Sequence, residues 1–192
     1  MILCDYLIKD AIERGEIIVD PPPQDGQYGT TSLNLRIGDD PRRWSKVLST
    51  QGLRAEVDLD TVRLNLLLPL TEAVPIDGGI AMEPGDFIIV RTLETIKLPP
   101  QSKLAARVEG RSTCARLGMS VHITAPTIHA GFTGKITLEM LNHGPLRIRM
   151  TPNVTEVCQL IFERVEDQPR GVMTTAYIDQ TTPLGTPGKK SN

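Results

Sequence analysis

The sequence has few cysteines, few aromatic residues and no large excess of charge of either sign. Its three cysteines, Cys4, Cys114 and Cys158, are too few and too far apart for a disulfide framework, which suits a reducing compartment. Aromatic residues make up 4% of the chain and the formal net charge is -2. Neither a stacking surface for single strands nor a basic field is therefore expected, and we predict no nucleic-acid partner.

Long apolar runs are also missing. No stretch approaches the roughly 18 apolar residues of a membrane-spanning helix, and residues 1–10 lack the basic start and cleavage site of a signal peptide. We therefore expect no membrane contact and a cytoplasmic location. The 192 residues suit one domain with extensions and a sizeable core.

Short apolar or alternating segments, separated by glycine and proline, predict a mostly β fold, either a barrel or a sandwich. Helical spacing over residues 5–12 predicts one short N-terminal helix, with Asp5 as its cap. The segments predicted as strands include 32–38, 63–70, 87–92, 135–140, 146–150 and 157–162. We divide the chain into a β domain over residues 1–163 and a polar tail over 164–192, ordered only when something binds it.

Residues 109–142 hold the polar side chains best suited to chemistry. Arg111, Ser112, Thr113 and Arg116 lie close together, and Glu139 follows on an alternating strand. Arginine forks and hydroxyls bind phosphate oxygens, and a carboxylate in a partly closed pocket can take a proton from water. The pattern indicates a polyanion site with an acid–base group, although a solvated face of a β protein has the same composition.

Zinc, P-loop and nucleophilic chemistry find little support. Zinc nucleoside deaminases use H-x-E followed by P-C-x-x-C, and none of His122, His129 and His143 has a glutamate two positions later. We interpret His122 as an alternating strand residue and Cys114 as a small packed side chain. There is no Walker pattern and no G-x-S-x-G elbow. No metal bound by protein ligands is expected.

The central stretch resembles the dCTP deaminase branch of the dUTPase-like superfamily. The family pattern is close to G-[RK]-S-[ST]-x-[AG]-R-x-G-[LI]-x-x-[HN]-x-T-A, followed by I-D-P-G-[FW]-x-G-x-I-T-L-E-[LF]-x-N. This chain has GRSTCARLG at 110–118, VHITA at 121–125 and GFTGKITLEMLN at 131–142. Weaker matches occur in the opening helix and at 32–38, 83–85 and 92–94, so the resemblance covers roughly residues 1–163.

This resemblance implies a distorted β-barrel or jelly-roll-like fold of the dUTPase type. It also implies zinc-independent hydrolytic deamination of dCTP to dUTP and ammonia in pyrimidine deoxynucleotide metabolism. The implied assembly is a homotrimer with active sites between subunits. Mg²⁺ is implied only as an ion held by the substrate triphosphate, and inhibition by dTTP is left open.

Residue roles follow from the resemblance position by position. Glu139 matches the general base and proton shuttle, while Ser112 and the backbone carbonyl of Ala125 match the groups that hold the attacking water. Arg116 matches the residue that stabilises charge near the reacting carbon. The residues implied in binding the nucleotide are Arg111, Ser112, Thr113, Arg116, His129, Phe132, Thr137, Gln159 and Tyr177.

Three departures from the family pattern leave alternatives open. His129-Ala130 replaces Asp-Pro, and that Asp is associated with pyrophosphate splitting in bifunctional relatives. Asn34 also replaces an aspartate, which we interpret as a structural change. Residues 176–180 match K-Y-x-G-Q-x-G without its lysine, and 185–190 are either a phosphate lid or a disordered end.

These departures leave three alternatives to a dCTP deaminase. One is a bifunctional deaminase/dUTPase that forms dUMP. Another is a non-catalytic nucleotide-binding regulatory homologue. The third is a deaminase of dCMP or of a modified cytosine nucleotide.

Overall fold

The computed structural model describes residues 1–45, 56–171 and 179–185. The α-helices are α1 (Asp5–Glu13) and α2 (Ser112–Arg116). The strands are β1 (Ile18–Asp20), β2 (Tyr28–Gly29), β3 (Ser32–Arg36), β4 (Arg42–Trp44), β5 (Thr71–Ala73), β6 (Ile80–Met82), β7 (Phe87–Lys97), β8 (Leu104–Gly110), β9 (Met119–Ser120), β10 (Thr127–Ile128), β11 (Thr133–Asn142), β12 (Ile148–Met150) and β13 (Glu156–Arg164). The prediction of a mostly β fold with one short N-terminal helix is confirmed. No helix in these ranges is long and apolar enough to cross a membrane.

Two larger sheets form the body of the fold. One sheet has six strands in the order β5-β4-β7-β11-β9, and β1 pairs with the C-terminal end of β7. The other has five strands in the order β10-β8-β13-β3-β2, and β12 pairs with β6 in a separate ribbon. Within the described part of the chain these sheets do not close into a barrel, so the fold is an open two-sheet arrangement.

One apolar core is shared by the two sheets and α1. Its strand members alternate along the chain as predicted and include Leu33 and Leu35 of β3 and Ile136, Leu138 and Met140 of β11. Because successive side chains of a strand point to opposite faces, the residues of β11 that lie between these core residues face away from the core. The opposite face of β11 is therefore free to line a site.

A buried carboxylate joins the two sheets. Glu94 of β7 is fully buried. It accepts hydrogen bonds from Nε of Arg36 at 2.8 Å, the backbone N–H of Arg36 at 2.9 Å and Nε2 of Gln27 at 3.1 Å. A buried charge is tolerated only when it is paired and hydrogen-bonded in this way. Residues 92–94, one of the weaker matches to the family pattern, thus include a residue that links the two sheets.

Two local predictions are wrong. Residues 63–70 do not form a buried strand, because Leu64–Leu70 is a 3-10 segment without a buried residue. An apolar run of this length has no periodicity that distinguishes the two states. Asp5 does not cap α1 from the N-cap position, which Cys4 occupies without a side-chain cap; instead the Asp5 carboxylate accepts from the backbone N–H of Tyr6.

Candidate active site

Glu139 lies on β11, on the face that points away from the core. It is paired with Ile89 of β7, and Thr137 on the same face is paired with Arg91. Glu139, Thr137 and Ile89 border a cavity of about 530 Å³. The long β7–β11 pairing therefore fixes the carboxylate at the cavity surface.

Several other predicted residues also line this cavity. Ala125 and His129 reach it from the loops around β10, and Phe132 reaches it from the turn before β11. That turn is closed by the backbone N–H of Phe132, which donates to the carbonyl of His129 at 3.1 Å. The predicted base, water-holding carbonyl and sugar-pocket residues thus meet in one place.

Burial is the main influence on the Glu139 carboxyl group. It raises the pKa above the ordinary glutamate value, while a hydrogen bond with its own backbone and the nearby His122 act in the opposite direction. Trp44, Phe87 and Ile89 supply an apolar wall to the same cavity. A half-buried carboxyl group with a raised pKa can both accept and return a proton, as a proton shuttle must.

His122 lies in the loop between β9 and β10, so its interpretation as a strand residue is wrong. Its Nδ1 is buried and has no hydrogen-bond partner among the described groups. In the ranges that the structure covers, no group of three or more His, Cys, Asp or Glu side chains is arranged to hold a metal ion.

The predicted site residues at 111–116 form a second cluster around α2. Ser112, Thr113 and Arg116 are exposed on this short helix. Nη1 of Arg111 donates to Oε2 of Glu156 at 2.9 Å and to the Glu156 carbonyl at 3.0 Å. This cluster therefore presents cationic and hydroxyl groups to solvent, as a triphosphate site requires.

Gln159 of β13 joins the α2 cluster, because its Nε2 donates to the carbonyl of Gly110 at 3.1 Å. None of the five predicted site residues from this part of the chain lines the Glu139 cavity. These residues are Arg111, Ser112, Thr113, Arg116 and Gln159. One chain therefore presents the predicted site as two separate halves.

Cys114 is buried within α2, and its Sγ lies 3.6 Å from the carbonyl of Val157. Burial raises the pKa of the thiol above its ordinary value. Because the thiolate is the nucleophilic form, this environment suits a packed side chain, as predicted.

Residues 179–185 of the C-terminal segment pack against their own chain. Gln180 is 7% exposed and Leu184 is also buried, and both line the cavity. Tyr177 and residues 186–190 of the predicted lid lie outside the described residues.

Gln180 is not among the predicted site residues, although it occupies the glutamine position of the tail match. Its Nε2 donates to Oγ1 of Thr137 at 2.5 Å and to the carbonyl of Lys135 at 3.3 Å. Its Oε1 is buried without a partner among the described groups. An unpaired acceptor at a cavity wall is available to a ligand N–H or O–H.

Asn34 is a structural substitution, as predicted. Its Nδ2 donates to Oε2 of Glu156 at 3.0 Å, and the same carboxylate pairs with Arg111. An aspartate at this position would place two carboxylates in contact. The amide therefore fits the local charges of this chain.

Comparisons with known proteins identify the family of this chain. A family model described as dCTP deaminase-like matches residues 2–165. The "dCTP deaminase, dUMP-forming" of Methanobrevibacter smithii is 35% identical over 162 residues, which are 84% of this chain and 79% of that protein. The "dCTP deaminase" of Rhodospirillum rubrum is 34% identical over 194 residues, covering 96% of this chain and 95% of the relative.

A solved structure shows the same fold. The 2'-deoxycytidine 5'-triphosphate deaminase of Agrobacterium tumefaciens superposes with a TM-score of 0.60 at 22% identity. The match covers 85% of this chain and 48% of that chain, so this chain spans about half the length of that protein. The family model and the relatives together show that this chain belongs to the dCTP deaminase-like family.

Proposed function

We propose that this chain hydrolyses dCTP to dUTP and ammonia and so acts in pyrimidine deoxynucleotide metabolism. The observation that carries the proposal is Glu139, a half-buried carboxyl group with a raised pKa on the wall of a nucleotide-sized cavity. The membership of this chain in the dCTP deaminase-like family supports the same conclusion.

In the proposed reaction Glu139 takes a proton from a water molecule held by the Ala125 carbonyl and the Ser112 hydroxyl. The resulting hydroxide adds to C4 of cytosine, and Glu139 returns the proton to N3 of the ring. Glu139 then moves the proton of the new C4 hydroxyl to the amino group. The C4–N bond breaks, ammonia leaves and the C4 carbonyl of uracil forms. A carboxyl group that carries a proton in both directions needs the raised pKa that burial provides.

The division of the site into two halves supports a homotrimer with shared active sites. In this arrangement the Glu139 cavity of one subunit faces the α2 cluster of a neighbour. Arg111, Thr113 and Gln159 would hold the triphosphate, and Arg116 would stabilise charge near C4.

Subunit complementation tests the shared site. Glu139→Gln and Ser112→Ala are each expected to be inactive alone, and co-refolded mixtures are expected to regain activity because some sites then combine two intact halves. A tagged subunit confirms mixing, and light scattering gives the mass. A monomer, or inactive mixed oligomers, would contradict the shared site.

Mg²⁺ enters this proposal as part of the substrate, since it binds phosphate oxygens and keeps several waters. No zinc is assigned, because the chain lacks the H-x-E and P-C-x-x-C patterns. dTTP carries the same triphosphate and is proposed as an inhibitor at the α2 cluster. The cytoplasm is the proposed location, supported by three free cysteines.

A second candidate function is continuation to dUMP. The relative from Methanobrevibacter smithii named "dCTP deaminase, dUMP-forming" favours it. His129 argues against it, because an imidazole stands where the family pattern has the aspartate associated with that step. We therefore propose that the reaction stops at dUTP.

Turnover in water labelled with oxygen-18 separates the two functions. Deamination alone is expected to place one labelled oxygen on the uracil ring and none on phosphate. Label on a phosphate group of dUMP or of pyrophosphate would show that water had also cleaved the triphosphate. An unlabelled base would contradict the proposed addition of water at C4.

A further inference from the structure

Arg91 of β7 holds the backbone of the cavity residue Gln180. Nη1 of Arg91 donates to the carbonyl of Gln180 at 2.6 Å. Its Nε donates to Oδ2 of Asp40 at 2.6 Å, and its backbone N–H donates to Oδ1 of Asp40 at 3.3 Å. The side chains of Arg91 and Asp40 are only 15% and 28% exposed. This pair is better shielded than a surface ion pair, which contributes little.

The position of Arg91 in the sheet explains why it matters for the cavity. Arg91 is the cross-strand partner of Thr137, and the Gln180 side chain donates to Thr137. Neighbouring strands therefore hold Gln180 at two points, through its carbonyl and through its amide nitrogen. Among the described residues, Oε1 of Gln180 then has no hydrogen-bond partner.

A third contact fixes the chain beside Gln180. The backbone N–H of Asp179 donates to the carbonyl of Thr133 at 2.9 Å. The segment crosses Gly134, which has a φ of +145° and where an added Cβ would lie 3.3 Å from the Asp179 nitrogen. The close approach is compatible with glycine at this position.

We propose that Arg91, held by Asp40, is a positioning residue for the deamination reaction. It fixes Gln180 so that Oε1 accepts a hydrogen bond from the bound nucleotide, whose available donors are the 4-amino group and the 3'-hydroxyl. The inference rests on the proposed function and adds a residue pair to it. Arg91 uses two sides of its planar guanidinium, which a lysine ammonium reproduces poorly.

The first test compares the kinetics of Arg91→Ala, Asp40→Asn and Arg91→Lys on dCTP. Loss of a hydrogen bond made equally to substrate and transition state raises KM and leaves kcat nearly unchanged. We expect KM to rise about ten-fold in Arg91→Ala, with only partial recovery in Arg91→Lys. Arg43→Ala is the matched control, because Arg43 pairs with Glu72 at 2.7 Å in the same sheet. An unchanged KM in Arg91→Ala, or an equal rise in Arg43→Ala, would overturn the proposal.

A double-mutant cycle tests whether Arg91 acts through Gln180. Once Gln180→Ala has removed the acceptor, the additional Arg91→Ala change is expected to alter KM less than two-fold. Fully additive effects would show that Arg91 affects the substrate by another route and would overturn the inference.

Hydrogen exchange tests the same contact without turnover. In Arg91→Ala the amides of residues 179–185 are expected to exchange faster, while those of β11 keep their protection. Arg43→Ala is expected to leave both unchanged. Unchanged exchange of residues 179–185 in Arg91→Ala would contradict the positioning role. A wild-type protein that has this protection but does not deaminate dCTP would refute the proposed function and, with it, the catalytic part of the inference.

Discussion

Replacement of Glu139 by glutamine should separate catalysis from folding and binding. Glutamine has nearly the same shape and leaves the backbone pairing with Ile89 intact. It cannot accept a proton from water, and loss of a general acid–base group typically costs about 10²- to 10⁴-fold in rate. That loss corresponds to about 3–5 kcal/mol of activation free energy, at about 1.4 kcal/mol for each factor of ten. We therefore expect kcat to fall by at least about 100-fold and the affinity for dCTP to change little.

The same substitution should stabilise the fold at neutral pH. Burial raises the pKa of Glu139 in the folded chain above its unfolded value, so the folded state binds more protons between these two pKa values. The favourable contribution is complete below the unfolded pKa and is lost as pH rises through the folded pKa. Glutamine carries no charge to desolvate, so its advantage over glutamate should appear at neutral pH and vanish in acid.

We expect a gain of about 0.5–2 kcal/mol in the free energy of unfolding at pH 7.5, the usual range for stabilising substitutions. At about 2–4 °C per kcal/mol, Tm should rise by about 1–8 °C. Calorimetry at pH 7.5 and pH 4 measures Tm, and assays of ammonia release and titrations with dCTP on the same preparations measure kcat and the affinity for dCTP. A rate within ten-fold of the wild type would refute the base assignment. A lower Tm at pH 7.5 would refute the account of the Glu139 pKa.

Three further predictions concern the pH dependence of activity, the buried link between the sheets and the α2 cluster. The raised pKa of Glu139 sets the pH at which the reactive carboxylate forms. The acid limb of kcat/KM should therefore lie above about pH 4.3, the ordinary glutamate value, and should be absent from the residual activity of Glu139→Gln. An acid limb at the ordinary value would contradict this prediction. Glu94→Ala removes the fully buried carboxylate and leaves the mostly shielded Arg36 unpaired, so it should cost about 3–5 kcal/mol in denaturant titrations, against about 0.5 kcal/mol or less for the more exposed Glu72→Ala. Equal losses in those two variants would contradict the buried link. Arg111→Ala should weaken dCTP binding by about ten-fold or more and leave deoxycytidine binding nearly unchanged, and equal weakening of both would contradict the phosphate role.

Alternation predicted the parts of the fold that depend on local pattern. The inward residues of β3 and both faces of β11 are correct because a half-buried strand needs a period of two, whereas Ser32, predicted to face outward, is buried. The outward set of β11 then identified Thr137 and Glu139 as neighbours on one face. Residues 63–70 failed for the complementary reason: a continuous apolar run fits a helical turn as well as a strand.

Long-range contacts account for what the sequence could not predict. Gln180 reaches the cavity only because residues 179–185 return to β11, 43 positions away from Thr137 in the sequence. The Arg91–Asp40 and Arg36–Glu94 pairs also join distant segments, and no local spacing identifies such partners. α2 likewise forms within a stretch that was predicted by its chemistry and not by helical periodicity.

The most direct measurement is incubation of the purified wild-type protein with dCTP and Mg²⁺, followed by separation of the nucleotides and assay of ammonia and pyrophosphate. Our account predicts equal amounts of dUTP and ammonia and no pyrophosphate. Formation of dUMP with pyrophosphate would contradict the conclusion drawn from His129. Absence of ammonia, with dCTP bound and unchanged, would contradict the central claim that this chain is a dCTP deaminase.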